Sequence, residues 1–163
     1  MSRELRITPH EYAQRRVRVR AELERRGLAA LVQFGALRNF YLTGFAHSTT
    51  ERPIALILPV DGPVAALLPR LEEDHVRQHV PEIERLKVYP EYPDLRHPML
   101  WLQELLTEMG LARKPLGVDS DGYGGTYGYR GPTLSALLPE ARLEPMRDWL
   151  DSLRCIKSPA EID

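Results

Sequence analysis

Two runs in which every residue is apolar, 54–58 (IALIL) and 64–68 (VAALL), stand on either side of Pro59-Val60-Asp61-Gly62. Asp-Gly between two apolar runs is a strong hairpin signal, because glycine supplies the positive φ that a tight turn needs. The two runs are therefore expected as antiparallel neighbours. Residues 29–34 (AALVQF) form another short apolar run. A strand of this kind is buried on both faces, which requires helices above and below the sheet.

The remaining elements follow from periodicity and punctuation. Thr8 can cap a helix, Pro9 suits its first position, and Glu11 completes a capping box. Tyr12, Val19 and Leu23 mark one buried stripe of that helix, and Gly27-Leu28 ends it. The basic residues of this helix (Arg15, Arg16, Arg18, Arg20, Arg25 and Arg26) alternate with Glu11, Glu22 and Glu24, a pattern of ion pairs on a solvated face. Residues 39–42 (NFYL), rich in aromatics and following a turn at Gly35, read as a strand. Residues 70–80 read as a helix and 86–89 as a strand. Residues 100–109 form an amphipathic helix that Gly110 closes. Residues 116–119 read as a strand, 133–138 as a helical turn or two, and 147–156 as a last helix. Strands alternate with helices, and one hairpin interrupts the pattern. The expectation is an α/β, three-layer domain with a mixed, partly antiparallel sheet of five to six strands flanked by helices.

Composition bounds the function. With 22 Lys and Arg against 23 Asp and Glu, the net charge is −1, which argues against a partner such as nucleic acid or an anionic membrane. No stretch of about 18 apolar residues is present, so no transmembrane helix is expected, and the arginine-rich start lacks the apolar core of a signal peptide. The default is a soluble, cytoplasmic protein. The single cysteine, Cys155, excludes an internal disulfide and a four-cysteine zinc site. Its apolar flanks, Leu153 and Ile156, suggest a buried structural thiol.

No complete catalytic set is present: the sequence lacks G-x-S-x-G, H-E-x-x-H and Walker A patterns. His75 and His79 share one helix face and could hold a divalent metal if a third ligand arrived; without one they belong to a solvated face. Asp119-Ser120-Asp121-Gly122 begins like a calcium loop, but its later ligand positions hold Tyr123, Gly125, Tyr127 and Arg130, so a turn after a strand fits better. The run 122–128 (GYGGTYG) is a near-miss to a dinucleotide fingerprint, with Tyr127 in place of the third glycine. A loop tip or a contact surface explains it better.

Two segments go further. Asn39-Phe40-Tyr41-Leu42-Thr43-Gly44-Phe45 resembles the N-x-x-Y-L-T-G-F segment of the creatinase/prolidase N-terminal domain, and the hairpin beginning at Arg52-Pro53 is similar to that family's next element. Leu153-Arg154-Cys155-Ile156-Lys157-Ser158-Pro159-Ala160-Glu161-Ile162 resembles the R-x-I-K-S-P-x-E-I junction that leads into the family's catalytic domain. The resemblance implies that residues 1–150 form the N-terminal domain and 151–163 begin the linker to a C-terminal pita-bread domain. In the family's Xaa-Pro dipeptidases and aminopeptidases P, that domain binds two divalent metal ions (Mn, Co or Zn) through two Asp, one His and two Glu. The resemblance places those ligands beyond Asp163, and this chain itself is expected to hold no metal, cofactor or catalytic residue. Creatinase and non-enzymatic peptide- or protein-binding relatives share the fold, so they are the alternatives. The resemblance further implies a homodimer, a proline-containing peptide substrate, and a loop, residues 46–52, that reaches toward the partner's active site. On it, Arg52 matches the arginine that creatinase-like members point at the substrate carboxylate, and His47 is a second candidate. The alternative for Arg52 is a pair with Glu51.

Overall fold

The computed structural model describes residues 7–92, 95–123 and 129–162. Its elements are α1 (Pro9–Arg26), β1 (Ala30–Gln33), α2 (Ala36–Thr43), β2 (Ala55–Pro59), β3 (Val64–Pro69), α3 (Glu73–His79), β4 (Ile83–Tyr89), α4 (Pro98–Glu108), β5 (Leu116–Val118), α5 (Leu134–Leu137), β6 (Leu143–Pro145), α6 (Arg147–Ser152) and α7 (Pro159–Ile162). A 3-10 turn, Arg70–Glu72, leads into α3.

The strands form one sheet in the order β4-β3-β2-β1-β5-β6. β2 pairs antiparallel with both β1 and β3, and the pairings β3–β4, β1–β5 and β5–β6 are parallel. The expected hairpin is present, with Ile57 opposite Ala65 and Gly62 at φ 101° in the turn. The sheet is mixed and covered on both faces, as the apolar runs require. Ala30, Val32, Ile57 and Leu67 face a core with Met99, Leu102, Leu105 and Leu106 of α4. Leu31, Leu56, Leu58 and Leu68, the alternate positions, face Val19 and Leu23 of α1, Leu42 of α2 and Val76 of α3. Each fully buried aliphatic side chain contributes roughly 1.5–3 kcal/mol of transfer free energy.

The ends of α1 follow the sequence signals. Thr8 Oγ1 accepts from Glu11 N at 3.2 Å, and Gly27 closes the helix at φ 66°. The α1 face is a correction. Arg15 is buried among the stripe residues, and Arg16 and Arg20 donate to the carbonyls of Leu42 and Pro59. Their spacing places them beside Tyr12, Val19 and Leu23, so these arginines serve the packing interface and not only the solvated face.

Two further expectations are overturned. Residues 39–42 are helical, within α2. Aromatic content suggested a strand, but Ala36, Leu37 and Arg38 are good helix formers, and Gly44 at φ 79° accepts the left-handed closure. A Cβ at Gly44 would lie 3.1 Å from the Tyr12 ring. The sixth strand is instead β6, a three-residue edge ending in Pro145 with little apolar pattern. Cys155 is exposed, because α6 ends at Ser152 and its segment lies outside the core.

Candidate functional site

The loop after α2 passes the carboxyl end of β1 before the chain enters β2. Its root is Phe45, only 1% exposed. The His47 ring lies on Phe45 with centroids 4.7 Å apart, and the His75 ring of α3 meets Phe45 edge-on at 5.6 Å. The far end is fixed by Tyr89, whose hydroxyl donates to Pro53 O at 3.0 Å inside the core. Between these anchors, Ser48, Thr50 and Arg52 line a groove of about 520 Å³ with His47, His75 and Glu72.

His47 is held by a buried amide chain. Gln33 Nε2 donates to Asn39 Oδ1 at 3.0 Å, which leaves Asn39 Nδ2 as the donor to His47 Nε2 at 3.2 Å. The accepting Nε2 puts the proton of the neutral ring on Nδ1, which faces Ser48 O at 3.5 Å. Burial pushes the His47 pKa below its ordinary value, against a smaller upward effect of the Ser48 carbonyl. The ring is thus a neutral group with one loosely engaged N–H. It can donate to a carbonyl or carboxylate oxygen without carrying a full charge.

Arg52 is about one-third exposed. Its Nη1 donates to Glu51 Oε1 at 2.6 Å, and Nη2 lies 3.8 Å from Glu91 Oε1. Its backbone N–H is held by Thr50 Oγ1 at 3.2 Å. The pair with Glu51 anticipated as an alternative is formed. Such a half-exposed pair is worth about 1 kcal/mol or less, so another carboxylate could displace Glu51 at small cost. Guanidinium geometry favours that exchange, since it offers two parallel donors.

The structure brings His47 and Arg52 together and adds His75, which periodicity had paired only with His79. The His75 and His79 rings are 5.9 Å apart, and His75 Nδ1 bonds Glu72 Oε2 at 3.0 Å. Among the described residues, no group of three or more His, Cys, Asp and Glu is placed to hold a metal ion. Asn39, the only asparagine of the chain, is the support that sequence reasoning named without a role; its position eight residues before His47 was the available signal.

The other motifs have structural uses. Asp119 accepts from the backbone N–H groups of Phe34 and Gly35 at 2.9 and 2.8 Å and faces Arg38 at 3.5 Å. It closes the β1–α2 turn. Burial pushes its carboxyl pKa up, and those two amides oppose the shift. Asp121 accepts from Ser135 N at 2.7 Å at the start of α5. Of the tyrosine-rich stretch, residues 124–128 lie outside the described residues. Tyr123 and Tyr129 are buried in edge-to-face contact, with centroids 5.8 Å apart, so neither offers a stacking surface.

A sequence model of the creatinase/prolidase N-terminal domain matches residues 15–156. The chain belongs to that family. Solved structures agree with the family in fold. The dipeptidase PepE from Mycobacterium ulcerans matches with a TM-score of 0.71 and 26% identity, over 97% of this chain and 40% of its own length. A prolidase from Thermococcus sibiricus matches with a TM-score of 0.72 and 23% identity, over 93% of this chain and 39% of its own. A proline dipeptidase structure from Streptococcus pneumoniae matches with a TM-score of 0.68 and 20% identity, over 87% of this chain and 98% of its own. The creatinase/prolidase domain here thus spans about two-fifths of the M. ulcerans enzyme. No curated protein matches the chain by sequence. Among the described residues, no helix is long and apolar enough to cross a membrane.

Proposed function

We propose that this domain is the non-catalytic N-terminal part of a cytoplasmic Xaa-Pro dipeptidase or aminopeptidase, and that it builds a homodimer and positions substrate in the partner subunit's active site. The observation that carries the reading is the groove on the 46–52 loop. There a displaceable guanidinium and a neutral imidazole line one groove on a loop anchored at both ends. Family membership and the likeness to a dipeptidase at 26% identity support it. In this reading a catalytic domain follows residue 163 and holds two divalent ions, which supply the activated water for attack on the peptide bond. The residues of this chain only bind and orient. Arg52 takes the carboxylate of a short proline-containing peptide through two parallel hydrogen bonds, and the His47 Nδ1–H donates to a neighbouring oxygen.

The test uses the full-length gene product. Arg52→Ala should lower kcat/KM for Ala-Pro roughly 10- to 100-fold, the value of a charged hydrogen bond, mainly through KM. Unchanged kinetics would remove Arg52 from the site. The 163-residue chain alone should not hydrolyse Ala-Pro with Mn²⁺ or Co²⁺ added, and clear turnover would overturn the division of labour. Sedimentation of the full-length protein as a monomer would overturn the dimer.

A further inference from the structure

Arg15 sits on α1 with its side chain about 5% exposed. Both terminal nitrogens of its guanidinium have partners. Nη1 donates to the carbonyl of Tyr41 at 2.9 Å, in the last turn of α2. Nη2 donates to Glu11 Oε1 at 2.5 Å and lies 3.3 Å from Glu161 Oε1. Its carbon lies 4.1 Å from the Tyr41 ring centroid and 5.4 Å from that of Tyr12.

The segment that follows α6 is bound to the same cluster. Tyr41 Oη donates to Leu153 O at 3.0 Å. Ser158 Oγ donates to Glu11 Oε1 at 2.6 Å. Within the segment, Ser158 N donates to Glu161 Oε2 at 2.9 Å, the backbone half of a Ser-x-x-Glu cap that starts α7. Glu161 thus caps its own helix with one oxygen and faces Arg15 with the other.

We infer that Arg15 is a positioning residue: it fastens the 153–162 segment and the C-terminal end of α2 to one anchor, and so couples the point where the chain leaves the domain to the root of the 46–52 loop. The link is short. α2 ends at Thr43, and Gly44 and Phe45 lead directly to His47. The same guanidinium contacts the last turn of α2 and the first turn of α7, so a displacement of α7 is felt at the base of the groove. The consequence for substrate rests on the function proposed above: loop and following domain would be set in register by one side chain.

The coupling is testable on this chain without substrate. Backbone ¹⁵N order parameters would be measured for the wild type, Glu161→Gln, Arg15→Lys and the double variant. Glu161→Gln keeps the shape of the side chain and removes its charge; Arg15→Lys keeps the charge and loses the fork. The expected result is that each single variant lowers the order parameters of 158–162 from about 0.8 to below about 0.6, the range of flexible backbone. Each also lowers those of 44–52, while β1, β2 and β5 do not change. In the Arg15→Lys background, Glu161→Gln should add nothing, since the contact is already lost. Loosening of 158–162 with 44–52 unchanged would overturn the coupling. So would additive effects of the two substitutions, or a loss of order shared by the strands. Failure of the substrate role would show only in the Arg52 kinetics, so the two outcomes are separable.

Discussion

Arg15 and Arg52 each lie beside a glutamate, and the two sites behave oppositely. Arg15 is shut between two aromatic rings, and its donors meet a backbone carbonyl and two carboxylates. Arg52 is about one-third exposed and pairs with a sequence neighbour that is itself open to water. Burial removes the competing water from Arg15, and deleting the side chain would leave Tyr41 O without this donor and take the counter-charge from Glu11 and Glu161, which keep their Ser158 contacts. Water remains available to Arg52, so its pair is exchangeable. A binding side chain has to be exchangeable, and an anchoring one must not be.

The largest expected effect comes from breaking the anchor. Arg15→Met should cost about 3 kcal/mol, which for a chain of this size lowers Tm by roughly 10 °C in calorimetry. A loss under about 1 kcal/mol would put Arg15 in the same class as Arg52. Next is the glycine that turns the chain from the anchored side to the loop. Gly44→Ala places a methyl group in the left-handed region and against Tyr12, and should cost about 2 kcal/mol in urea unfolding. A neutral result would show that the turn yields more readily than its packing suggests.

A pH series separates a surface ion pair from both. Hydrogen bonds from Arg25, and after it Arg26, pull the Glu22 carboxyl down to about 2. Its folded pKa lies below its unfolded one, so the stability it supplies is fully present above the unfolded value and is lost as pH falls through the folded one. Glu22→Gln should therefore have a lower urea midpoint than the wild type at pH 6, and the gap should close as pH approaches about 2. A gap independent of pH would show that packing, not charge, is what Glu22 provides. The smallest stability effect belongs to Arg52→Ala. It should shift the unfolding free energy by about 0.5 kcal/mol or less, even though it is the variant expected to damage substrate use most. A larger loss would make Arg52 part of the scaffold.

Much of the fold was legible because its signals are local. The hairpin rests on Asp61-Gly62 between two apolar runs. The start of α1 rests on Thr8 and Pro9, and its end on Gly27. The start of α4 is different: the helix expected from residue 100 begins at Pro98, which occupies the first turn, where the missing N–H costs nothing. β6 was not legible, because a three-residue edge strand draws its identity from pairing with β5. The site was legible only as positions. Residues 47 and 52 could be named from the family resemblance, but the groove needed His75 from α3, and the tautomer of His47 needed Gln33 and Asn39.

The sequence by itself determined the covered mixed sheet, its hairpin and the family, because burial of continuous apolar runs and the φ demands of glycine act over a few residues. Tertiary structure alone decided that Cys155 is exposed and that one arginine among six on α1 is buried. The burial of Arg15 depends on partners more than twenty residues away in the chain, such as Tyr41, and the free energy of a charged side chain is set by whether such partners replace the water it loses.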